Sequence, residues 1–457
     1  MEVEIVSEEH IKPSFPTPPH LRSFKLSLLD QLLPVPYAPI VLFYPNHDDH
    51  CASHNMMNIP QRLELLKKSL SETLTRFYPL AGQIKDDLYI ECNDEGAYFV
   101  EAHLNFCVSE FLRQPDLLLI HKFLPCELVL KESAAGTFVT NIQANVFKCG
   151  GIAIGLCISH KIVDGAALST FIKAWTTTAR GSKSNIAAVF PNFDSSSLFP
   201  ASDDLWLRDS SMAMWGSLFR KGKSVTRRFV FPDSATATLK AQATSSYVKQ
   251  PSRLEVVSAF IWKHAMAASR QNNGSQKPSL MTHLVNLRRR MTPPLSEHTM
   301  GNLLWIAAAA RCMDTDEASL EGLVGELRGA ISRIDGDFVQ KMQGEERNSI
   351  MCETLRGIGK LGSQEEADYF GFSSWCKFGF YEADFGWGKP IWVSSIGSSG
   401  TVFMNLIILV DTRLGDGIEA WVTLDEPEMA RLESNPELLT FASLDPSPLA
   451  VDHSIGC

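Results

Sequence analysis

From Ile152 to Ile158 the chain is an unbroken apolar run, and beyond His160 its hydrophobic pattern changes period. Leu168, Phe171, Ile172 and Trp175 recur at i, i+3, i+4 and i+7, which is one face of a helix. A buried strand, a turn and an amphipathic helix in direct succession predict an α/β architecture. Upstream, Phe138, Thr140, Ile142, Ala144 and Val146 alternate with more polar positions, predicting a half-buried strand. Cys149-Gly150-Gly151 then turns that strand back as a hairpin. His160 therefore stands on a strand-to-helix turn, where reactive side chains are commonly presented. Asp164 stands where the helix begins, a place suited to an N-cap.

At 457 residues the chain exceeds one ordinary core, and two domains are expected. The stretch 181–204 is rich in Ser, Asp and Pro and marks the boundary. The expected division is a first domain over 1–180, a crossover linker over 181–225 and a second domain over 226–457. In the first, Leu63, Leu66, Leu70, Leu74 and Phe77 form a helical stripe that stops at Pro79 and Gly82. In the second, Val256 to Ala267 reads as a helix. Phe403 to Val410 reads as a buried strand turned through 411–417 into Ile418 to Leu424.

The net charge of −10 argues against nucleic acid or an anionic membrane as the main partner. No apolar run reaches the roughly 18 residues that a membrane span needs. Met1 to Glu9 is acidic and lacks a signal-peptide core. The ten cysteines are scattered without a C-x-x-C pair, which suits a reducing compartment, so the cytoplasm is the expected location; separately, a monomer is expected. His47, Asp48, Asp49, His50, Cys51 and His54 have the residue types of a metal site. Their spacing matches no standard zinc pattern, and they read as a surface loop.

A histidine can take a proton from an alcohol near neutral pH. Of the twelve histidines only His160 has an aspartate four residues on, but a single H-x-x-x-D is nearly expected by chance in a chain of this composition. Asp384-Phe385-Gly386-Trp387-Gly388 is the more specific motif. Two glycines flank a tryptophan and Pro390 closes the run, so the backbone must turn tightly. Together with Phe77-Tyr78-Pro79-Leu80-Ala81-Gly82, Val285-Asn286-Leu287-Arg288, Gly301-Asn302 and Ser373-Ser374-Trp375, these two motifs resemble the plant BAHD acyltransferases over nearly the whole chain.

The resemblance implies two chloramphenicol-acetyltransferase-like α/β domains with a channel between them. It also implies acyl-CoA as co-substrate, a small-molecule alcohol as acceptor and no permanently bound cofactor or metal. The expected reaction is acetyl transfer from acetyl-CoA to a hydroxyl of a plant specialised metabolite, an alkaloid first and a terpenoid second. Acylsugar or aromatic acyl chemistry and a catalytically silent relative are the rivals; the intact His160 and Asp384 to Gly388 speak against the silent one. His160 is the expected base. Asp384 is grouped with it as a catalytic candidate, although the glycines around it point to an architectural turn. Asp164 is expected to pair with Arg288, with Gly386, Trp387 and Gly388 as further structural support. Ser373 and Trp375 are the oxyanion candidates. Ser252 and Arg253, with the cluster Arg220, Lys221, Lys223, Arg227 and Arg228, are candidates for the CoA phosphates. No G-x-S-x-G elbow is present and no cysteine shows an activating motif, which favours direct transfer over an acyl-enzyme.

Overall fold

The computed structural model describes residues 1–34, 37–46, 57–85, 88–126, 137–181, 189–202, 205–273, 277–311, 319–363, 367–395 and 402–450. Its strands group into two large mixed sheets. The first sheet uses β1 (Val3–Ile11), β2 (Tyr37–Tyr44), β3 (Ala97–Leu104), β4 (Thr140–Phe147) and β5 (Ile152–Ser159). The second uses β6 (Ser224–Phe231), β7 (Ser279–Asn286), β8 (Leu304–Arg311) and β9 (Asp368–Ser374). A short strand, β10 (Trp392–Ser394), belongs to the first sheet again. β11 (Leu406–Asp411), β12 (Ile418–Asp425) and β13 (Ser443–Leu444) complete the second. The strand orders are β1-β3-β4-β5-β2-β10 and β8-β7-β9-β11-β12-β6-β13.

Six helices matter here: α1 (Leu28–Gln31), α2 (Ile59–Arg76), α3 (Gly165–Arg180), α4 (Leu205–Leu218), α5 (Arg253–Asn273) and α6 (Arg347–Gly362). The stripe Leu63, Leu66, Leu70, Leu74 is buried on α2, whose N-terminus carries a reciprocal Asn58–Gln61 capping box. The hairpin β4–β5 forms as expected, with antiparallel register from Thr140↔Ile158 to Val146↔Ile152. Its first strand is not half-buried, however: every residue of β4 is buried. The polar alternation is satisfied internally. Gln143 donates to the Lys122 carbonyl and Asn145 to the Phe123 carbonyl, so the segment Leu117–Phe123 covers the face expected to meet water.

The division at 181–225 also needs correction. Within it, α4 packs along α6 and buries Leu207, Met214 and Leu218 in the second core. The two halves moreover exchange segments. Leu28, Leu29 and Leu32, early in the chain, lie in the second core, whereas Phe380, Tyr381, Phe385 and Val393 lie in the first. β10 pairs antiparallel with β2, so a strand from the second half closes the first sheet. Each exchanged piece carries apolar side chains that its own half does not cover, and burial across the boundary removes them from water. The expected hairpin near the C-terminus is present as β11–β12, interrupted before Leu406 by Met404 and Asn405.

Candidate active site

Ser159 ends β5 and Gly165 opens α3, so His160 stands on the connection between them. That connection is held from several sides. Val163 bridges Gly301 in parallel, and the buried Lys161 ammonium donates to the carbonyls of Gln31 and Leu33 at 3.4 and 2.7 Å. Ser169 on α3 donates to the Phe378 carbonyl at 2.5 Å. A Cβ at Gly165 would sit 2.5 Å from the Phe378 ring, so the segment that follows β9 lies directly on the start of α3.

Asp164 caps α3 by accepting from the Ala167 amide at 2.9 Å, the role that its sequence position suggests. Its carboxylate also meets Arg288 in a bidentate pair, at 2.7 and 3.0 Å, and accepts from the Leu303 amide. Arg288 is fully buried and gives its remaining donors to the carbonyls of Thr299 and Gly301. Asp164 faces this arginine, and the imidazole takes a different partner.

That partner is Asn302, whose Oδ1 lies 3.0 Å from His160 Nδ1. The Asn302 Nδ2 group donates to Asp30 Oδ1 and to the His160 carbonyl, both at 2.7 Å. These two acceptors fix the amide orientation, so Oδ1 must accept and His160 Nδ1 must carry the hydrogen. Nε2 is left with its lone pair, as a general base requires. Asp30 is itself buried and held by the Ser27 hydroxyl at 2.6 Å, the Ser27 amide and the Asn302 amide. A chain His160–Asn302–Asp30 thus backs the imidazole from the exchanged helix α1. In the sequence, Asn302 is marked only by the family-like pair Gly301-Asn302. The spacing Ser27-x-x-Asp30 is a capping-box signature and was the one local signal for Asp30.

Burial pushes the His160 pKa below the ordinary 6.5, offset in part by its backbone, by Asp164 and Asp30 and by the Asn302 hydrogen bond. The base is therefore neutral throughout the neutral range. Acceptor kcat/KM should be level from pH 6.5 upward and fall only in more acid solution, where Nε2 becomes protonated. A profile still rising between pH 7 and 8 would contradict this state of the base.

Ser373 and Trp375 lie at the end of β9. The Trp375 amide donates to the Leu409 carbonyl at 2.7 Å, and its ring meets Phe380 edge-on. Since Phe378 touches the start of α3, this segment and the His160 turn are neighbours. Asp384 is placed differently and is not a partner of His160. Its Oδ1 accepts from the amides of Gly386 and Gly388 at 2.7 and 3.0 Å. Those glycines have φ of +107° and +113°, which a side chain would strain. Phe385 packs on Trp175 with ring centroids 4.8 Å apart, and Trp387 stacks on Phe385. Trp175 is ten residues into the helix that starts at Gly165, roughly 15 Å from His160's end at 1.5 Å per residue. Asp384 is thus the keystone of a turn. Its grouping with the base is corrected by this separation.

Ser252 and Glu255 form a reciprocal cap at the start of α5. Arg253 reaches the β11–β12 turn, donating to the carbonyls of Gly415 and Asp416 and pairing with Asp411. The expected basic cluster does not form one patch. Arg220 faces Glu428, Lys223 faces Glu426 and Arg227 faces Glu433. Arg228 is buried against Glu419 and the Trp392 ring, and the pleat sends it to the opposite face from Arg227. It cannot serve a solvent phosphate. His47 to His54 lie outside the described residues.

A turn-borne imidazole whose Nδ1 is tied to Asn302 presents Nε2 as a base of the kind that can activate an alcohol. The chain belongs to the BAHD acyltransferases: the Transferase family model matches residues 1–439. It is 47% identical to limonoid 7-O-acetyltransferase of Citrus sinensis, and 46% identical to epi-neemfruitin B 7-O-acetyltransferase of Melia azedarach. Each alignment covers 98% of this chain and 100% of the relative. The crystal structure of vinorine synthase superposes with a TM-score of 0.79 at 35% identity, over 97% of this chain and 99% of that one. The two-domain acyltransferase fold and the use of acyl-CoA as co-substrate follow from this membership.

Proposed function

We propose that the protein transfers acetyl from acetyl-CoA to a hydroxyl of a limonoid-type plant metabolite, with His160 as the only proton carrier. The observation that carries the chemistry is the Asn302-fixed imidazole. Nε2 accepts the hydroxyl proton as the oxygen attacks the thioester carbonyl. Collapse of the tetrahedral adduct breaks the C–S bond, and Nε2 returns the proton to the CoA thiolate. Ser373 and Trp375 are the proposed donors to the oxyanion, and the channel between the halves is the proposed route for both substrates. The acceptor class follows the relatives named above: at 46–47% identity they are a limonoid and an epi-neemfruitin B 7-O-acetyltransferase, whereas stemmadenine O-acetyltransferase of Catharanthus roseus is 37% identical. A limonoid therefore comes before an alkaloid.

The cysteines free among the described residues support a reducing, cytoplasmic setting. No described helix is long and apolar enough to cross a membrane. We place the protein in the cytoplasm as a monomer. The reading is tested by incubating the protein with acetyl-CoA and a limonoid carrying a free 7-hydroxyl, or with stemmadenine. Gain of one acetyl group by the alcohol, dependent on His160, supports it. Acetyl-CoA consumption without any acylated alcohol contradicts it.

Ser252 and Arg253 remain the proposed contacts for CoA phosphate. Arg253→Ala should raise the acetyl-CoA KM about 10- to 150-fold, with kcat nearly unchanged, if one charge-assisted contact of roughly 1.5–3 kcal/mol is lost. A lowered melting temperature with unchanged KM would assign Arg253 to the β11–β12 turn alone.

A further inference from the structure

Two aspartates reach the His160 turn, and their charges meet different fates. Asp164 is paired with the Arg288 guanidinium through both oxygens, which cancels its charge. Asp30 comes from the exchanged helix α1 and is fully buried. The Ser27 amide and hydroxyl donate to its Oδ2 at 2.9 and 2.6 Å. The backbone and side-chain amides of Asn302 donate to its Oδ1, both at 2.7 Å. All four donors are neutral, so none of them cancels the charge of the carboxylate they hold. Burial raises the Asp30 pKa above the ordinary 3.8, and these hydrogen bonds oppose the rise because they favour the ionised form.

The Asn302 side chain stands between this carboxylate and the base. Its Oδ1 faces His160 Nδ1 at 3.0 Å and its Nδ2 faces Asp30 at 2.7 Å. With an amide span of about 2.3 Å, the carboxylate oxygen lies no more than about 8 Å from the ring nitrogen. An anion polarises an amide that donates to it, and the polarised carbonyl becomes a stronger acceptor for Nδ1–H. The interaction grows during the reaction, because the ring becomes a cation once Nε2 holds the hydroxyl proton. The other charged groups at the turn are the balanced Asp164–Arg288 pair and the Lys161 ammonium, which donates to the Gln31 and Leu33 carbonyls.

We propose that Asp30 is a positioning residue of the acyl transfer: its negative charge, relayed through the Asn302 amide, stabilises the imidazolium that His160 becomes when it carries the acceptor's proton. The inference rests on the reading of His160 as the base and adds the source of its basicity. The carboxylate behind the imidazole is thus supplied by α1, while the aspartate of the H-x-x-x-D motif is spent on an arginine.

The test uses acetyl-CoA with a limonoid carrying a free 7-hydroxyl, or with stemmadenine. His160 protonation is read from the acid limb of acceptor kcat/KM. It is also read, without substrates, from an NMR titration of histidine-labelled protein, where the His160 signal is the one absent from His160→Ala. Asp30→Asn keeps the shape of the side chain and removes its charge. Limb and NMR midpoint should both move to lower pH by about 1–1.5 units, the worth of a unit charge about 8 Å away at an effective dielectric near 20. On the plateau, kcat should fall about 5- to 30-fold, with the acetyl-CoA KM within about twofold of wild type. Asp30→Ser, neutral and smaller, carries the same expectation if Asp30→Asn does not fold. Leu29→Ala loosens α1 through packing alone and should lower the melting temperature with the limb in place. A lowered kcat with an unmoved limb, or an equal shift in Leu29→Ala, makes Asp30 structural; it overturns the inference and leaves the acetyl-transfer reading standing. Wild type that acetylates neither alcohol removes both.

Discussion

His160→Ala is expected to lower acceptor kcat/KM by about 10²–10⁴-fold, the usual worth of a positioned base. The fold should persist, because the side chain leaves behind only the Asn302 contact, and one lost neutral hydrogen bond costs about 0.5–1.5 kcal/mol. Asn302→Leu is the informative companion. It keeps the imidazole but removes the acceptor that makes Nδ1 the protonated nitrogen, so kcat should fall and acetyl-CoA KM should hold. Turnover of purified His160→Ala within a few fold of wild type would refute the assignment. Loss of CoA binding in the same variant would make the defect structural.

The second large effect is on stability. Arg288→Met and Asp164→Ala should each destabilise the protein by about 3–5 kcal/mol, because each leaves a buried opposite charge unpaired. For a domain near 200 residues that is about 6–20 °C in melting temperature. Arg288→Met leaves the Asp164 carboxylate with only the Ala167 and Leu303 amides. Asp164→Ala strands a guanidinium among the carbonyls of Thr299 and Gly301 and also uncaps α3. The folded fraction of either variant, isolated by size exclusion, should retain measurable transfer. Unchanged melting temperature with abolished activity would instead give Asp164 a part in the proton relay.

Local pattern made much of this legible. The apolar run, the turn and the helical stripe placed His160 and Asp164 to the residue, since strand, cap and helix are written in short-range periodicity. The cap at Asp164 and the hairpin into β5 needed no tertiary information. What the pattern concealed was long-range. Gln143 and Asn145 looked like a wetted face because their carbonyl partners come from a separate segment. Arg228 looked like part of a basic patch because nothing local announces Glu419 or the Trp392 ring. Asp30 and Asn302 are far apart in the chain and meet only after α1 has crossed into the other half, so no window of sequence contains the group that sets the tautomer of the base.

The strand that closes the first sheet has a consequence for biosynthesis. Tyr44 donates to the Ala383 carbonyl across 339 positions, and β2 stays an open edge until β10 exists. At about 5–20 residues per second, a ribosome needs roughly 20–70 s to travel between the two. Through that interval the nascent chain presents Val41, Leu42 and Phe43 on a strand with one edge unpaired, a template for wrong pairing between neighbouring chains on a polysome. Yield in a heterologous host should therefore depend on chaperone supply and growth temperature more than on codon choice in the second half. A protein truncated before Trp392 would aggregate even though residues 1–181 carry the whole strand–turn–helix unit.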